Sequence, residues 1–245
     1  MKKQRLDLLL VDQGLAESRT KAQALIMAGL VYHGEQKLDK AGAEFPDDYE
    51  INVRGKEHPW VSRGGMKLMQ AIEEFKLDVM GLVAMDVGSS TGGFTDVLLT
   101  HGAAKVFAVD VGHGQLDVKL RNDPRVVVME ETNARYLTPE MIGESLDLIV
   151  CDASFISLTK VLPAALALAK PQAQLVTLIK PQFEVGKAEV SRGKGVIRDA
   201  GLHQQVCEAI AAWVADLGWQ VMGITKSPIT GPKGNVEFLL YAKKG

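Results

Sequence analysis

The sequence predicts an α/β fold: a mostly parallel, seven-stranded sheet covered by helices on both faces, preceded by a small α+β unit. Three observations predict it. From Met66 onward, apolar strand-like runs alternate with amphipathic segments of helical period, the pattern of β–α–β crossovers. A glycine-rich turn, Gly88 through Gly93, follows the first of those runs and opens a helical segment, where open α/β sheets bind ligands. Residues 6 to about 31 carry helical periodicity followed by short strand-like runs, a compact unit too small for a catalytic core.

In the first part, Leu6, Leu9, Leu10 and Val11 make one apolar helical face, and Gly14 stops that helix. Ser18 is the expected N-cap of a second helix with Ala22, Leu25, Ile26 and Leu30 facing inward, and Gly29 ends it. Val31–Glu35 and Glu50–Val53 read as short strands around polar turns. The polar stretch Arg54-Gly55-Lys56-Glu57-His58-Pro59 is the expected linker, dividing the chain into 1–59 and 60–245. A helix through Ala71, Ile72 and Phe75 follows. Seven strands are then expected at Leu82–Val87, Lys105–Val111, Arg125–Met129, Leu146–Asp152, Gln174–Lys180, Trp219–Lys226 and Val236–Ala242. Helices fit near Gly93–His101, Gln115–Arg121, Leu158–Ala169 and Leu202–Leu217. No helix fits between the last two strands, so they should be antiparallel neighbours, since a parallel pair needs a long crossover.

Composition narrows the function classes. A 47% hydrophobic and 24% charged chain is that of a globular protein. No apolar run reaches the ~18–20 residues that span a bilayer. The opening stretch, Met1 to Leu10, is broken by Asp7 and lacks a small-residue cleavage site, so it reads as a helix and the protein as cytoplasmic. Cys151 and Cys207 have no metal-ligand spacing, and the five histidines are scattered, so no metal is expected. With a net charge of −2, any nucleic-acid contact must come from local basic patches.

Several stretches carry chemistry. Asp86-Val87-Gly88-Ser89-Ser90-Thr91-Gly92-Gly93-Phe94 lacks the Lys-Ser/Thr of a phosphate-binding loop and the spacing of a dinucleotide fingerprint. Its glycines would let a cofactor approach the backbone, and Asp86 can receive a cationic amine. Asp110, ending the next strand, stands where an acid takes ribose hydroxyls. Cys151-Asp152-Ala153-Ser154-Phe155 ends the fourth strand and turns a carboxylate toward the same crevice, with Ser157 free to cap the helix that follows. Lys180-Pro181-Gln182-Phe183-Glu184 ends the fifth strand with a poorly hydrated lysine. Glu237, taken alone, reads as a solvent-facing residue of the last strand. Arg63 and Lys67 flank the paired glycines of Trp60-Val61-Ser62-Arg63-Gly64-Gly65-Met66-Lys67-Leu68, and Lys187, Arg192, Lys194 and Arg198 make a second basic stretch.

Together these residues resemble a known family. From Val61 onward the chain looks like an FtsJ-type Rossmann-like methyltransferase of class I. Arg5-Leu6-Asp7 through Ser18-Arg19-Thr20-Lys21-Ala22-Gln23 to Gly29-Leu30-Val31 resembles an S4 RNA-binding domain, and the pairing is similar to the TlyA family. The resemblance implies S-adenosylmethionine as cofactor, ribosomal RNA or a ribosomal subunit as partner, and 2′-O-methylation of ribose, on cytidine in some members. It implies a catalytic tetrad of Lys67, Asp152, Lys180 and Glu237. Cofactor binding would fall to Asp86, Gly88, Ser89, Ser90, Thr91, Gly92, Gly93, Phe94, Asp110, Asn133 and Ala134. RNA contacts would fall to Arg5, Arg19, Lys21, Arg63, Lys187, Arg192 and Lys194. In that scheme Lys180 is the base, Asp152 orients its amine, and Glu237 holds Lys67. One departure is His58-Pro59-Trp60-Val61, where some relatives carry Arg-x-Trp-Val. The alternatives are a non-catalytic ribosome-binding factor, an oxidoreductase, which the absent dinucleotide fingerprint disfavours, and a haemolysin, a label family members often bear.

Overall fold

The structure, a computed structural model, describes residues 3–54 and 58–245, apart from the side chains of Lys187 and Pro232. The centre of the expected linker, residues 55–57, thus lies outside the described residues. The chain divides into two units, Met1–Pro59 and Trp60–Gly245.

The first unit runs β1 (Lys3–Arg5), α1 (Leu6–Asp12), α2 (Arg19–Met27), β2 (Val31–His33), β3 (Gln36–Lys37), β4 (Glu44–Pro46) and β5 (Asn52–Val53). Strand β1 pairs antiparallel with β4, and β2 lies between β3 and β5. The two short strand pairs β1–β4 and β2–β3 go beyond the sequence expectation, because runs of two or three residues carry no readable period. Ser18 accepts the Lys21 N–H, which is the N-cap the sequence calls for. Past the two helices, Gly14 and Gly29 each adopt a φ of +70°, the left-handed stop that glycine supplies without strain. Leu6, Leu9, Leu10, Ala22, Ile26 and Val31 form the core. Asp7, in the middle of that apolar helix, is fully buried: its carboxylate takes hydrogen bonds from Arg5, Arg19 and Gln23. Those bonds, the one from Arg5 foremost, hold the carboxyl well below the usual range.

The second unit opens with α3 (Gly64–Phe75) and continues β6 (Val83–Val87), α4 (Gly93–Thr100), β7 (Lys105–Val109), α5 (Val118–Arg121), β8 (Val126–Met129), α6 (Pro139–Ile142), β9 (Leu146–Cys151), α7 (Leu158–Val161), α8 (Pro163–Ala167), β10 (Ala169–Ile179), α9 (Pro181–Glu184), α10 (Lys187–Arg192), α11 (Ala200–Asp216), β11 (Trp219–Lys226) and β12 (Phe238–Lys244). The sheet order is β11-β12-β10-β9-β6-β7-β8. Strands β8, β7, β6, β9 and β10 are parallel, and β12 is inserted antiparallel to both β10 and β11. This is the mostly parallel, seven-stranded sheet that the sequence predicts, with its last two strands antiparallel neighbours. Alternation along β6 sends Met85 and Val87 into one apolar layer with Leu158, Leu162, Val206 and Ile210, and Ala84 into the opposite layer with Leu68, Ala71, Val97 and Leu98. Helices therefore cover both faces.

Three expectations are corrected. The helix expected over Leu158–Ala169 is two short ones, because Pro163 starts a new first turn where it has no N–H to lose. The fifth strand begins earlier, at Ala169, with a register shift before Gln174 and Gln172 at a φ of +67°. The helix expected from Gln115 starts only at Val118, behind an Asp117 cap. Cys151, the last residue of β9, is fully buried, and burial pushes its thiol up to about 12.

Candidate active site

Strand order reverses at β6, which has β7 on one side and β9 on the other, so a crevice opens at the carboxyl ends of these strands. Four charged side chains from distant parts of the chain meet beside it. Lys67 comes from the first turns of α3, Asp152 follows β9, and Lys180 follows β10. Glu237 just precedes β12, whose Phe238 is paired with Ile179, so the antiparallel insertion brings Glu237 to the end of the strand that carries Lys180. The sequence reading of Glu237 as solvent-facing is thus wrong: the residue is 1% exposed, and β12 is flanked on both sides.

The cluster is closely bonded. Lys67 Nζ donates to Glu237 Oε2 at 2.7 Å and to Asp152 Oδ2 at 3.1 Å. Lys180 Nζ stands 2.6 Å from Asp152 Oδ1 and donates to Ser154 Oγ at 2.9 Å and to the Asp152 carbonyl at 3.0 Å. Two amines and two carboxylates offset one another, which lets Lys67, Lys180 and Glu237 be buried beside a partly exposed Asp152; removing one would strand its partner. Glu237 lies beneath Gly231, where a Cβ would come within 2.2 Å of Oε1.

A cavity of about 450 Å³ is lined by these four residues with Arg63, Asp86 and the glycine-rich turn. A second, of about 460 Å³, shares Gly88, Ser90, Asp152 and Ser154 with it and reaches Asp110, Asn133 and Ala134. Asp86 is wholly buried. Its Oδ2 accepts from the N–H and the hydroxyl of Thr95, while Oδ1 has no partner among the described residues. Burial, aided by the negative charge of Asp152, pushes this carboxyl up to about 7. Such a group is short of one cationic donor. Asp110 holds the turn, accepting the Ser90 N–H on Oδ2 and the Gly112 N–H on Oδ1, with a lone pair left on each oxygen for a diol. Asn133 caps the turn that places Ala134 in the apolar wall.

The glycines are there for packing as much as for ligand approach. Gly88, at a φ of +81°, passes so close to Ala153 that a Cβ would lie 2.9 Å from its Cα. Gly92 abuts Leu120, and Gly93 abuts Ser62 and the Gly65 backbone. Ser89 is buried, Thr91 exposed, and Phe94 packs mainly into the apolar layer behind the turn. Sequence reasoning missed Thr95, Ser154, Gln115, Thr230, Gly231 and Lys233. Of these, Ser154 stood inside a stretch already singled out, and Lys233 sits in a Gly-Pro-Lys-Gly loop whose glycines were the available signal.

The expected RNA-binding cations fall in both units. Arg63 lines the first cavity and donates to the Thr230 carbonyl. Arg192 pairs with Glu189, and Lys194 is exposed in a left-handed turn. The Lys187 side chain lies outside the described residues. Arg5 and Arg19 spend part of their guanidinium donors on Asp7, and Lys21 is exposed.

Comparison with known proteins gives the family. Residues 60–244 match the model of the FtsJ-like methyltransferases, and residues 4–45 that of the S4 domain. A 16S/23S rRNA (cytidine-2′-O)-methyltransferase, TlyA of Mycobacterium tuberculosis, is 50% identical over 98% of this chain and 89% of its own length. Hemolysin A of Brachyspira hyodysenteriae is 43% identical over 97% of this chain and 98% of its own. The solved structure of a Streptococcus thermophilus protein bearing the hemolysin name superposes with a TM-score of 0.77 at 42% identity, covering 100% of this chain and 89% of that one. Among the described residues no helix is long and apolar enough to cross a membrane. This chain belongs to the FtsJ-like methyltransferases, in the TlyA family, and carries an S4 domain ahead of its methyltransferase domain.

Proposed function

We propose that this protein transfers a methyl group from S-adenosylmethionine to the ribose 2′-hydroxyl of a cytidine in ribosomal RNA, with the S4-like unit of residues 1–59 gripping RNA and residues 60–245 performing the transfer. Its substrate puts its work in the cytoplasm. The observation that carries the reading is the Lys67–Asp152–Lys180–Glu237 cluster beside the unpartnered Asp86 oxygen. The relatives' cytidine-directed activity supports the choice of acceptor.

The residues present fit the cofactor. Asp86 Oδ1 would pair with its ammonium, and Asp110 would take the ribose hydroxyls, with Asn133 and Ala134 against the adenine. When bound, S-adenosylmethionine supplies an electrophilic methyl on sulfur, which needs no acid to leave. The chain must then provide a base and a line of attack. Lys180 Nζ, in its neutral form, takes the proton of the 2′-hydroxyl as the oxygen attacks the methyl carbon. Asp152 and Ser154 fix the direction of that amine. Lys67, pinned by Glu237, keeps Asp152 from being Lys180's alone. Positioning of the hydroxyl supplies most of the acceleration.

Incorporation of tritiated methyl into ribosomal RNA tests the reading. Lys180→Ala should lower transfer by at least about a hundredfold, the usual worth of a positioned base, while cofactor affinity stays within about twofold. Transfer by Lys180→Ala at the wild-type rate would end the assignment.

A further inference from the structure

A third cavity, of about 780 Å³, lies beyond the two already described. It has no part in the chemistry above. Its boundary with the second cavity is formed in part by Phe155, which lines both. Phe155 is 91% exposed and held at a φ of +65°, a costly conformation for a bulky residue that burial does not repay. Its ring packs directly against that of Phe183, with centroids 5.2 Å apart and planes tilted by 46°, and both rings line the third cavity. Gln182, which also lines it, is 7% exposed, and its Oε1 has no hydrogen-bond partner among the described residues. Lys160 and Arg135 stand at its rim.

These features make one kind of site. An exposed aromatic ring suits a planar one, since every nucleobase has a face that stacks on an aromatic side chain. A buried carbonyl oxygen without a donor is expensive to leave so, and a ring bearing an exocyclic amine would satisfy it. Exposed cations at the mouth suit the phosphates on either side of such a base. Lys180 lines the first cavity and not this one, so this cavity would take a different nucleotide of the same strand.

We propose that the pocket between Phe183, Gln182 and Lys160 is a second nucleotide subsite, which holds a base flanking the methylated one and selects for an exocyclic amine through Gln182. The inference rests on the proposed RNA substrate only for the strand that carries the base. The chemistry of methyl transfer does not enter it.

The test is therefore a binding measurement. Cytidine 5′-monophosphate and uridine 5′-monophosphate are titrated separately into the full chain, followed by tryptophan fluorescence or calorimetry. Wild type should favour the cytidine nucleotide by about tenfold, the worth of one such hydrogen bond. Gln182→Leu should erase the preference, and Lys160→Ala should weaken both nucleotides alike while keeping it. Lys160→Ala changes only an exposed side chain, so it reports even where Gln182→Leu does not fold. Equal affinity of wild type for the two nucleotides overturns the proposal. So does a preference that survives in a folded Gln182→Leu, an affinity unchanged in Lys160→Ala, or no binding of the cytidine nucleotide at millimolar concentration. Asp86→Asn, which should weaken cofactor binding, should still bind the cytidine nucleotide. Failure of the methylation reading with the subsite intact is thereby told apart from failure of the subsite.

Discussion

Asp86 shows how one residue's environment ties binding to pH. Its carboxyl, raised to about 7 by burial, is protonated in the folded protein at pH values where the unfolded chain has already lost the proton. The unliganded protein therefore loses stability as pH rises from the ordinary carboxylate range through about 7. An ammonium needs the ionised form, so the sign reverses for the ligand. Affinity for S-adenosylmethionine should fall as pH drops below about 7, approaching tenfold per pH unit, as calorimetry across pH would record. Asp86→Asn should flatten that profile, bind weakly throughout, and melt higher than wild type in unliganded form at alkaline pH. A wild-type affinity independent of pH between about 5 and 8 would remove Asp86 from the ammonium site. The acidic residue at this position was readable from its place at the end of a strand; its isolation was not, because the Thr95 that occupies one oxygen and the burial that starves the other are properties of packing.

At the scale of elements, period and punctuation carried most of the information. The strand Trp219–Lys226 has the expected bounds, and glycines at φ +70° end the first two helices where the sequence puts stops. What stayed illegible was pairing across the chain. Glu237 alternates as a surface residue would, and only the insertion of β12 between β10 and β11 decides that its side is covered. Asp7 is a parallel case. It looks like an interruption of an apolar face, yet it joins β1, α1 and α2 through Arg5, Arg19 and Gln23. Its depressed carboxyl contributes stability above the ordinary carboxylate range, and that contribution is lost as pH falls through the depressed value. Asp7→Asn should cost the first unit about 1.5–3 kcal/mol near neutrality, read from urea unfolding, and a midpoint unchanged from wild type would show the cluster to be ornamental.

For the molecule as a whole, a net charge of −2 means that the proposed RNA substrate would be held by patches rather than by a general field. Removing Arg19 and Lys21 together should weaken RNA binding and flatten the plot of log affinity against log salt by somewhat less than two units of slope, about 0.9 for each lost phosphate contact on a duplex. An unchanged slope would take both out of the interface. Arg19 should matter less than its charge suggests, because Asp7 already shares it. Cys151 belongs to this scale as well. It adjoins Asp152, yet it is sealed in the central sheet with a thiol that stays protonated. Peroxide and alkylating reagents should therefore leave methyl transfer untouched so long as the sheet stays closed. Labelling of this cysteine should proceed only as fast as the sheet opens, which makes it a native clock for unfolding, set one residue from Asp152 and readable by mass spectrometry without any engineered probe.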